Sequence, residues 1–183
     1  FKTTKLMMYE APDLWEQLMD KVCTMLVDYL KMQVSAGAQA LQLFDSWVGC
    51  LGPNDYEKYI LPYSRRVFEG LKDTGVPIIN FSTGTSTMLD LVQKAGGDVL
   101  SFDWRIEMDT ARALLGKDQP VQGNLDPVTL FGPLPLIRER VHDILKRSGG
   151  KGHIFNLGHG ILQHTPVEHV KAVVDMVHEY KHE

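Results

Sequence analysis

The sequence predicts an α/β protein whose core is a parallel β-sheet, and three observations support this prediction. Apolar runs of strand length recur five times along the chain. Each run is followed by a turn and then by a helical pattern, which is the order of parallel strands joined by right-handed crossovers. The chain has 183 residues, of which 44% are hydrophobic, enough for one domain with a real core. We therefore expect residues 1–183 to form a single domain.

The first element is a long amphipathic helix over residues 12–36. Apolar side chains recur there at every fourth position from Leu14 to Val34. This spacing places them on one face of a helix. Pro12 near the start and Gly37 just after the end are typical helix boundaries.

A strand over residues 38–44 and a second helix follow. Asn54 and Glu57 have the spacing of a capping box, so the helix is expected to begin there, to break near Pro62 and to end at Gly75. The remaining strands are predicted at residues 76–81, 98–102, 120–122 and 153–157.

Two later helices have recognisable starts. Asp126 precedes Pro127, which is the pattern of an N-cap followed by a first-turn proline. Thr165 and Glu168, with Pro166 between them, predict a capping box for the last helix. Judged by length alone, a five-stranded doubly wound sheet fits better than a closed (β/α)₈ barrel, which needs about 250 residues.

The charge pattern excludes several classes of protein. The formal net charge is −4, and the charges are scattered rather than clustered as a nucleic-acid-binding face requires. No apolar run reaches the ~20 residues that span a bilayer, and the first ten residues lack the apolar centre of a secretion signal. We expect a soluble, cytoplasmic protein. Cys23 and Cys50 indicate neither a disulfide framework nor a metal clip.

In parallel sheets, ligands bind at the carboxyl ends of the strands. There the loop after the last strand reads N-L-G-H-G-I and places His159 between Gly158 and Gly160. Such a turn can project the imidazole over the strand ends and offer exposed N–H groups to an anion. His159 can donate a hydrogen bond, carry positive charge or transfer a proton near neutral pH. The alternative is a surface histidine in a glycine turn.

The loop after the first strand reads F-D-S-W. Ser46 could donate to a carboxylate or a pyrrole, and Trp47 could form a flat wall of a binding site. Alternatively, Asp45 and Ser46 form an ordinary turn and Trp47 lies in the core.

Three further features could have a structural role instead of a functional one. The hydroxyl-rich loop from Ser82 to Thr87 lacks the Gly-Lys of a phosphate loop and could simply cap the next helix. Asp103 and Trp104 follow the third strand. His178, Glu179 and His182 match H-E-x-x-H, but at the very end of the sequence, where a zinc site is not expected.

Taken together, the strings L-F-D-S-W-V-G, F-D-W, V-Q-G-N-L-D-P and H-I-F-N-L-G-H-G-I resemble the carboxyl-terminal half of the uroporphyrinogen decarboxylase family, in its bacterial form. The resemblance covers essentially the whole chain, and the combination of G-N-L-D-P with N-L-G-H-G is highly specific. It implies a (β/α)₈ TIM barrel of which this chain supplies about five consecutive βα units.

The resemblance also implies an activity and a site. The activity is cofactor-independent decarboxylation of the four acetate side chains of uroporphyrinogen III to give coproporphyrinogen III, by a homodimer and without a metal. Ser46 and His159 fall on the family's substrate-site positions, and His159 is the catalytic candidate. Asp45, Gly158 and Gly160 are further candidates for substrate binding. The family's amino-terminal arginine loop, its pyrrole-binding aspartate and its tyrosine have no counterpart here.

Two other functions remain open. Related corrinoid-dependent methyltransferases hold zinc with an H-x-C element, where this chain has Asn80, Phe81 and Ser82. A half-barrel that binds a tetrapyrrole without catalysis is the second alternative.

Overall fold

The computed structural model describes residues 1–181 and contains one five-stranded parallel sheet surrounded by helices. The strands are β1 (Leu41–Asp45), β2 (Ile78–Ser82), β3 (Val99–Phe102), β4 (Val121–Leu125) and β5 (His153–Leu157). The helices are α1 (Lys2–Glu10), α2 (Pro12–Ser35), α3 (Pro53–Tyr59), α4 (Leu61–Leu71), α5 (Leu89–Ala95), α6 (Met108–Leu115), α7 (Leu134–Ser148) and α8 (Val167–Glu179). Short 3₁₀ helices follow β1, α4 and β4.

The strand order decides between the two predicted architectures. The order in space is β1-β2-β3-β4-β5, and every neighbouring pair is parallel. A doubly wound sheet reverses its order at a switch point, whereas a barrel adds each strand beside the previous one. The doubly wound alternative is therefore wrong, and the five βα units are those of a partial barrel.

The sheet is strongly curved. The Gln122 side chain on β4 donates a hydrogen bond from Nε2 to Oε1 of Gln42 on β1, at 3.3 Å. In a flat sheet these strands would lie about 14 Å apart, because neighbouring strands are spaced by about 4.8 Å. The two amides can meet only across a concave face, which is the inner face of a barrel.

The convex face holds the main core. Buried apolar residues of four strands pack there against the helices, among them Leu41, Ile78, Leu100 and Val121. A second cluster forms around Leu125 of β4 with residues of α7 and α8. Complete burial of such side chains contributes roughly 1.5–3 kcal/mol each, so this face stabilises the fold.

Several local predictions are confirmed. Helix α2 begins at Pro12, and the second helical region breaks at Ile60, just before Leu61 and Pro62. Asp126 is an N-cap, since its Oδ1 accepts a hydrogen bond from the Val128 N–H at 2.9 Å. It caps a 3₁₀ helix rather than an α-helix.

Both predicted capping boxes are wrong. Helix α3 begins after Gly52, and α8 begins after Pro166, neither of which has a side chain that caps. The Thr165 hydroxyl donates instead to the Leu162 carbonyl at 2.7 Å. Proline at or beside the first position fixes these starts without a side-chain acceptor.

Among residues 1–181, no helix is long and apolar enough to cross a bilayer.

Candidate active site

Three aromatic rings meet on the concave face at the carboxyl end of the sheet. The imidazole of His159 is nearly parallel to the Phe81 ring, with 6.1 Å between the ring centroids and 15° between the planes. Phe81 contacts Phe44 edge to face, with centroids 5.4 Å apart. Because His159 follows β5 and Phe81 lies on β2, this contact also spans the concave face. Sequence reasoning selected His159 but missed both phenylalanines, which look like ordinary strand residues.

Gly158 is required by close packing against the loop after β3. A Cβ atom placed on Gly158 would lie 2.9 Å from the Trp104 backbone nitrogen and 3.0 Å from the Asp103 Cα. Its N–H donates to the Leu125 carbonyl at 2.7 Å. The Gly158 N–H is therefore not available to an anion, because that donor is already used.

The next two N–H groups remain available. Neither the His159 nor the Gly160 N–H makes a hydrogen bond within residues 1–181, and both residues are exposed. A Cβ atom on Gly160 would meet nothing within 4 Å. The turn thus offers an imidazole beside the Phe81 ring and two backbone donors, a combination suited to a carboxylate.

Ser46 lies at the same edge, directly after β1. Its carbonyl accepts a hydrogen bond from the Thr83 hydroxyl at 2.5 Å, which ties the first loop to the second. Close packing of Gly49 against Gly84 also joins these two loops, since a Cβ atom on Gly49 would lie 2.6 Å from the Gly84 Cα. The Ser46 hydroxyl makes no hydrogen bond in the described part of the chain, so it is available to a ligand. The structure contains no direct bond between Ser46 and His159 within that part.

Asp45 lies on the other side of β1. It lines a cavity of about 270 Å³ between the sheet and helices α2 to α4, together with Tyr56. Burial raises the pKa of the Asp45 carboxyl to about 6, although hydrogen bonds from the Val48 and Trp47 N–H groups lower it. Burial and the nearby Asp45 carboxyl raise the pKa of Tyr56. The observed contacts of Asp45 hold the turn that contains Ser46, and direct contact with a substrate stays a prediction.

Trp47 is not a core residue. Its side chain is 72% exposed and lies near the ring of Phe1, with centroids 6.2 Å apart. The alternative that Trp47 belongs to the core is therefore wrong.

The loop after β2 does not cap the next helix. The N-cap of α5 is Met88, which has no capping side chain, and the Ser82 and Thr85 hydroxyls bond to each other at 2.8 Å. The Gly84 N–H is held by the Asp103 carboxylate at 2.6 Å. Asp103 is only 2% exposed, and its backbone carbonyl accepts a bond from the Asn124 side chain at 3.1 Å. It therefore links the loops after β2 and β3 to strand β4.

No metal site is assembled within residues 1–181, where no three His, Cys, Asp or Glu side chains are grouped as ligands. His178 and Glu179 are in the last turn of α8, and His182 of the H-E-x-x-H match lies outside the described residues. The Asn80 amide, at the first position of the methyltransferase H-x-C element, donates to the carbonyls of Val92 and Gly96 near α5.

The family profile and the similar proteins that match this chain point to the same family. The family profile described as uroporphyrinogen decarboxylase (URO-D) matches residues 1–180. The uroporphyrinogen decarboxylase of Carboxydothermus hydrogenoformans is 54% identical over 176 residues, covering 96% of this chain and 50% of that protein. The one from Solibacter usitatus is 51% identical over 182 residues, covering 99% of this chain and 53% of that protein. The chain thus spans about half the length of the curated relatives it matches.

A solved structure has the same fold. The methyltransferase from Methanosarcina mazei superposes with a TM-score of 0.86, covering 97% of this chain and 53% of that chain, at 21% sequence identity. At this identity the likeness shows the fold alone.

Proposed function

Because this chain belongs to the uroporphyrinogen decarboxylase family, we propose that it forms one wall of the substrate site of an enzyme that converts uroporphyrinogen III to coproporphyrinogen III. The observation that supports this most directly is the His159 turn. It brings an imidazole against the Phe81 ring at the carboxyl end of the sheet, and the same turn carries two free N–H groups. A flat apolar ring beside anion donors matches a substrate built from pyrroles and carboxylates.

The proposed reaction needs no cofactor. A pyrrole that accepts a proton at a ring carbon becomes a cation and can take up an electron pair. The bond between the acetate methylene and its carboxylate then breaks, CO₂ leaves, and the electron pair enters the ring. A second proton converts the resulting exocyclic methylene to a methyl group while the ring carbon releases the first one, so each acetate consumes one proton overall. The protein must therefore hold carboxylates, stabilise the cationic ring and move protons.

The residues of this chain divide these tasks. His159 binds a substrate carboxylate or transfers a proton, assisted by its own N–H and that of Gly160. The Ser46 hydroxyl donates a hydrogen bond to the substrate, and Phe81 with Phe44 forms the apolar wall. Asp45 and Gly158 hold the first loop and the His159 turn in place, and direct contact of Asp45 with the substrate stays a prediction.

Product analysis tests the function. Uroporphyrinogen III is incubated with the chain by itself and with a fusion that places the unmatched part of the Carboxydothermus hydrogenoformans relative before Phe1. Porphyrins are then separated by their number of carboxylates. We expect coproporphyrinogen III from the fusion. Tight binding without any loss of carboxylates in either protein would instead support a half-barrel that only binds tetrapyrrole.

We also propose that the protein is a homodimer in the cytoplasm, as its family resemblance implies. Cys23 and Cys50 are free thiols, which is consistent with a reducing compartment. Sedimentation of the fusion and fractionation of cells test the two statements. Residues 1–183 are proposed to behave as a single domain, which one cooperative unfolding transition would support.

A further inference from the structure

We propose that Arg105 binds a carboxylate of the substrate and that Asp103 holds its guanidinium in place for this purpose. This inference rests on the proposed function and adds a cationic group to a site that otherwise has only neutral donors and a histidine. Arg105 lies outside the two motifs that contain Ser46 and His159.

Arg105 is fixed from two directions. The Asp103 carboxylate is 2% exposed and accepts hydrogen bonds from the Arg105 side chain, through Nη1, and from the Arg105 backbone N–H at 3.0 Å. The guanidinium carbon lies 4.7 Å from the centroid of the Trp104 ring, in a cation–π contact. A flexible side chain that is anchored in this way loses less conformational entropy when it binds a ligand.

The anchored guanidinium still has unused donors. Arginine has five N–H groups in a planar fork, and within residues 1–181 only Nη1 has an acceptor. The side chain is 52% exposed, so the remaining donors face solvent. The adjacent acid Glu107 pairs with Arg147 instead, at 3.7 Å.

Arg105 also lies in a loop at the carboxyl edge of the sheet. Five loops follow the carboxyl ends of the strands, at residues 46–52, 83–88, 103–107, 126–133 and 158–166. Arg105 is the only arginine or lysine in any of them. Its neighbour Trp104 packs directly against Gly158, so Arg105 belongs to the loop that supports the His159 turn. A substrate with many carboxylates needs cationic partners at this edge, and this chain places one there.

Kinetics of the fusion protein test this role. Arg105→Gln is expected to raise KM about tenfold with kcat within about twofold, because the lost interaction is made in the ground state and the transition state alike. Arg105→Lys keeps the charge but not the fork and is expected to raise KM about threefold. Arg65→Gln is the matched control, since Arg65 bonds the Lys94 carbonyl near the amino ends of β2 and β3. It should leave KM unchanged.

Direct binding separates this inference from the proposed function. The dissociation constant for uroporphyrin, measured by fluorescence titration, should rise about tenfold in Arg105→Gln and not in Arg65→Gln. Normal turnover in the unsubstituted fusion with an unchanged KM in Arg105→Gln would overturn this inference alone. A loss of kcat and of unfolding free energy with unchanged KM would also overturn it, by showing a structural role. If Arg105→Gln does not fold, the KM of Arg105→Lys decides. An unsubstituted fusion that neither binds uroporphyrin nor forms product would overturn both proposals.

Discussion

The two faces of the sheet differ in the chemistry of their side chains and in how tightly those side chains are packed. On the convex face, Leu41, Ile78, Leu100 and Val121 are buried in a continuous apolar cluster. On the concave face, amides of Gln42 and Gln122 bond to each other, and Phe44 is 66% exposed. The comparison indicates that stability resides on the convex face, while the concave face and its carboxyl-end loops are available for a ligand.

Matched substitutions on two strands should show the largest difference. Leu100→Ala removes a side chain that is 1% exposed and is expected to lower the free energy of unfolding by about 3 kcal/mol. Ile154→Ala on the concave side of β5, where Ile154 is 46% exposed, should cost less than about 1 kcal/mol. Urea unfolding of the chain measures both values. Equal losses would show that the two faces contribute equally and would refute the comparison.

The Asp45 carboxyl, on the convex side, should make the free energy of unfolding depend on pH. Burial raises its pKa from 3.8 to about 6, so the folded state holds the proton more tightly than the unfolded state does. The associated stability is present below pH 3.8 and is lost as the pH rises through 6, by about 3 kcal/mol at most. Asp45→Asn should abolish this dependence. Unfolding of both proteins between pH 3.5 and 7.5 tests it, and parallel curves would contradict the assignment.

Substitution by alanine should be far less tolerated at Gly158 than at Gly160. Gly158→Ala places a methyl group against the backbone of Asp103 and Trp104, and is expected to cost about 2 kcal/mol of stability. Because the His159 turn must move, kcat/KM of the fusion should fall about tenfold. Gly160→Ala meets open space and should change stability by less than about 0.5 kcal/mol. Similar effects at both glycines would show that the close approach to the third loop is unimportant.

Ser46 should affect function without affecting stability. Its hydroxyl has no hydrogen-bond partner in the described residues, so Ser46→Ala is expected to change the free energy of unfolding by less than about 0.5 kcal/mol. If the hydroxyl donates to the substrate, the KM of the fusion should rise about fivefold. An unchanged KM would remove Ser46 from the site.

Much of the convex side could be predicted from the sequence, because it depends on local patterns. Apolar runs, with helix boundaries at Pro12 and Gly75, predict where the strand-and-helix units lie along the chain. The run at residues 153–157 coincides with the observed strand β5. Helix α1 lies where these patterns predict no helix. Strand β4 extends beyond its predicted end at Gln122 because residues 123–125 pair with residues 155–157 of β5. The polar Asn124 side chain is accommodated there by the Asp103 and Ile106 carbonyls.

The site was only partly predictable. His159 and Ser46 stand out through their motifs, but the residues that hold them act across loops that are distant in sequence. The bond from the Gly84 N–H to Asp103 depends on the pairing of β2 with β3, and the contact of Phe81 with His159 depends on sheet curvature. No local pattern in the sequence records either feature. The same holds for Gly158, whose small size is explained by Asp103 and Trp104 rather than by a tight turn.

We propose that the substrate reacts at the concave carboxyl edge around His159. The most direct test compares His159→Ala with His178→Ala in the fusion, by initial rates of carboxylate loss from uroporphyrinogen III. His178 is an exposed histidine in the last turn of α8, at the end of the helix that leads away from this edge. We expect kcat/KM to fall about 100-fold for His159→Ala and to stay within about twofold for His178→Ala. Equal rates in the two variants would contradict the account.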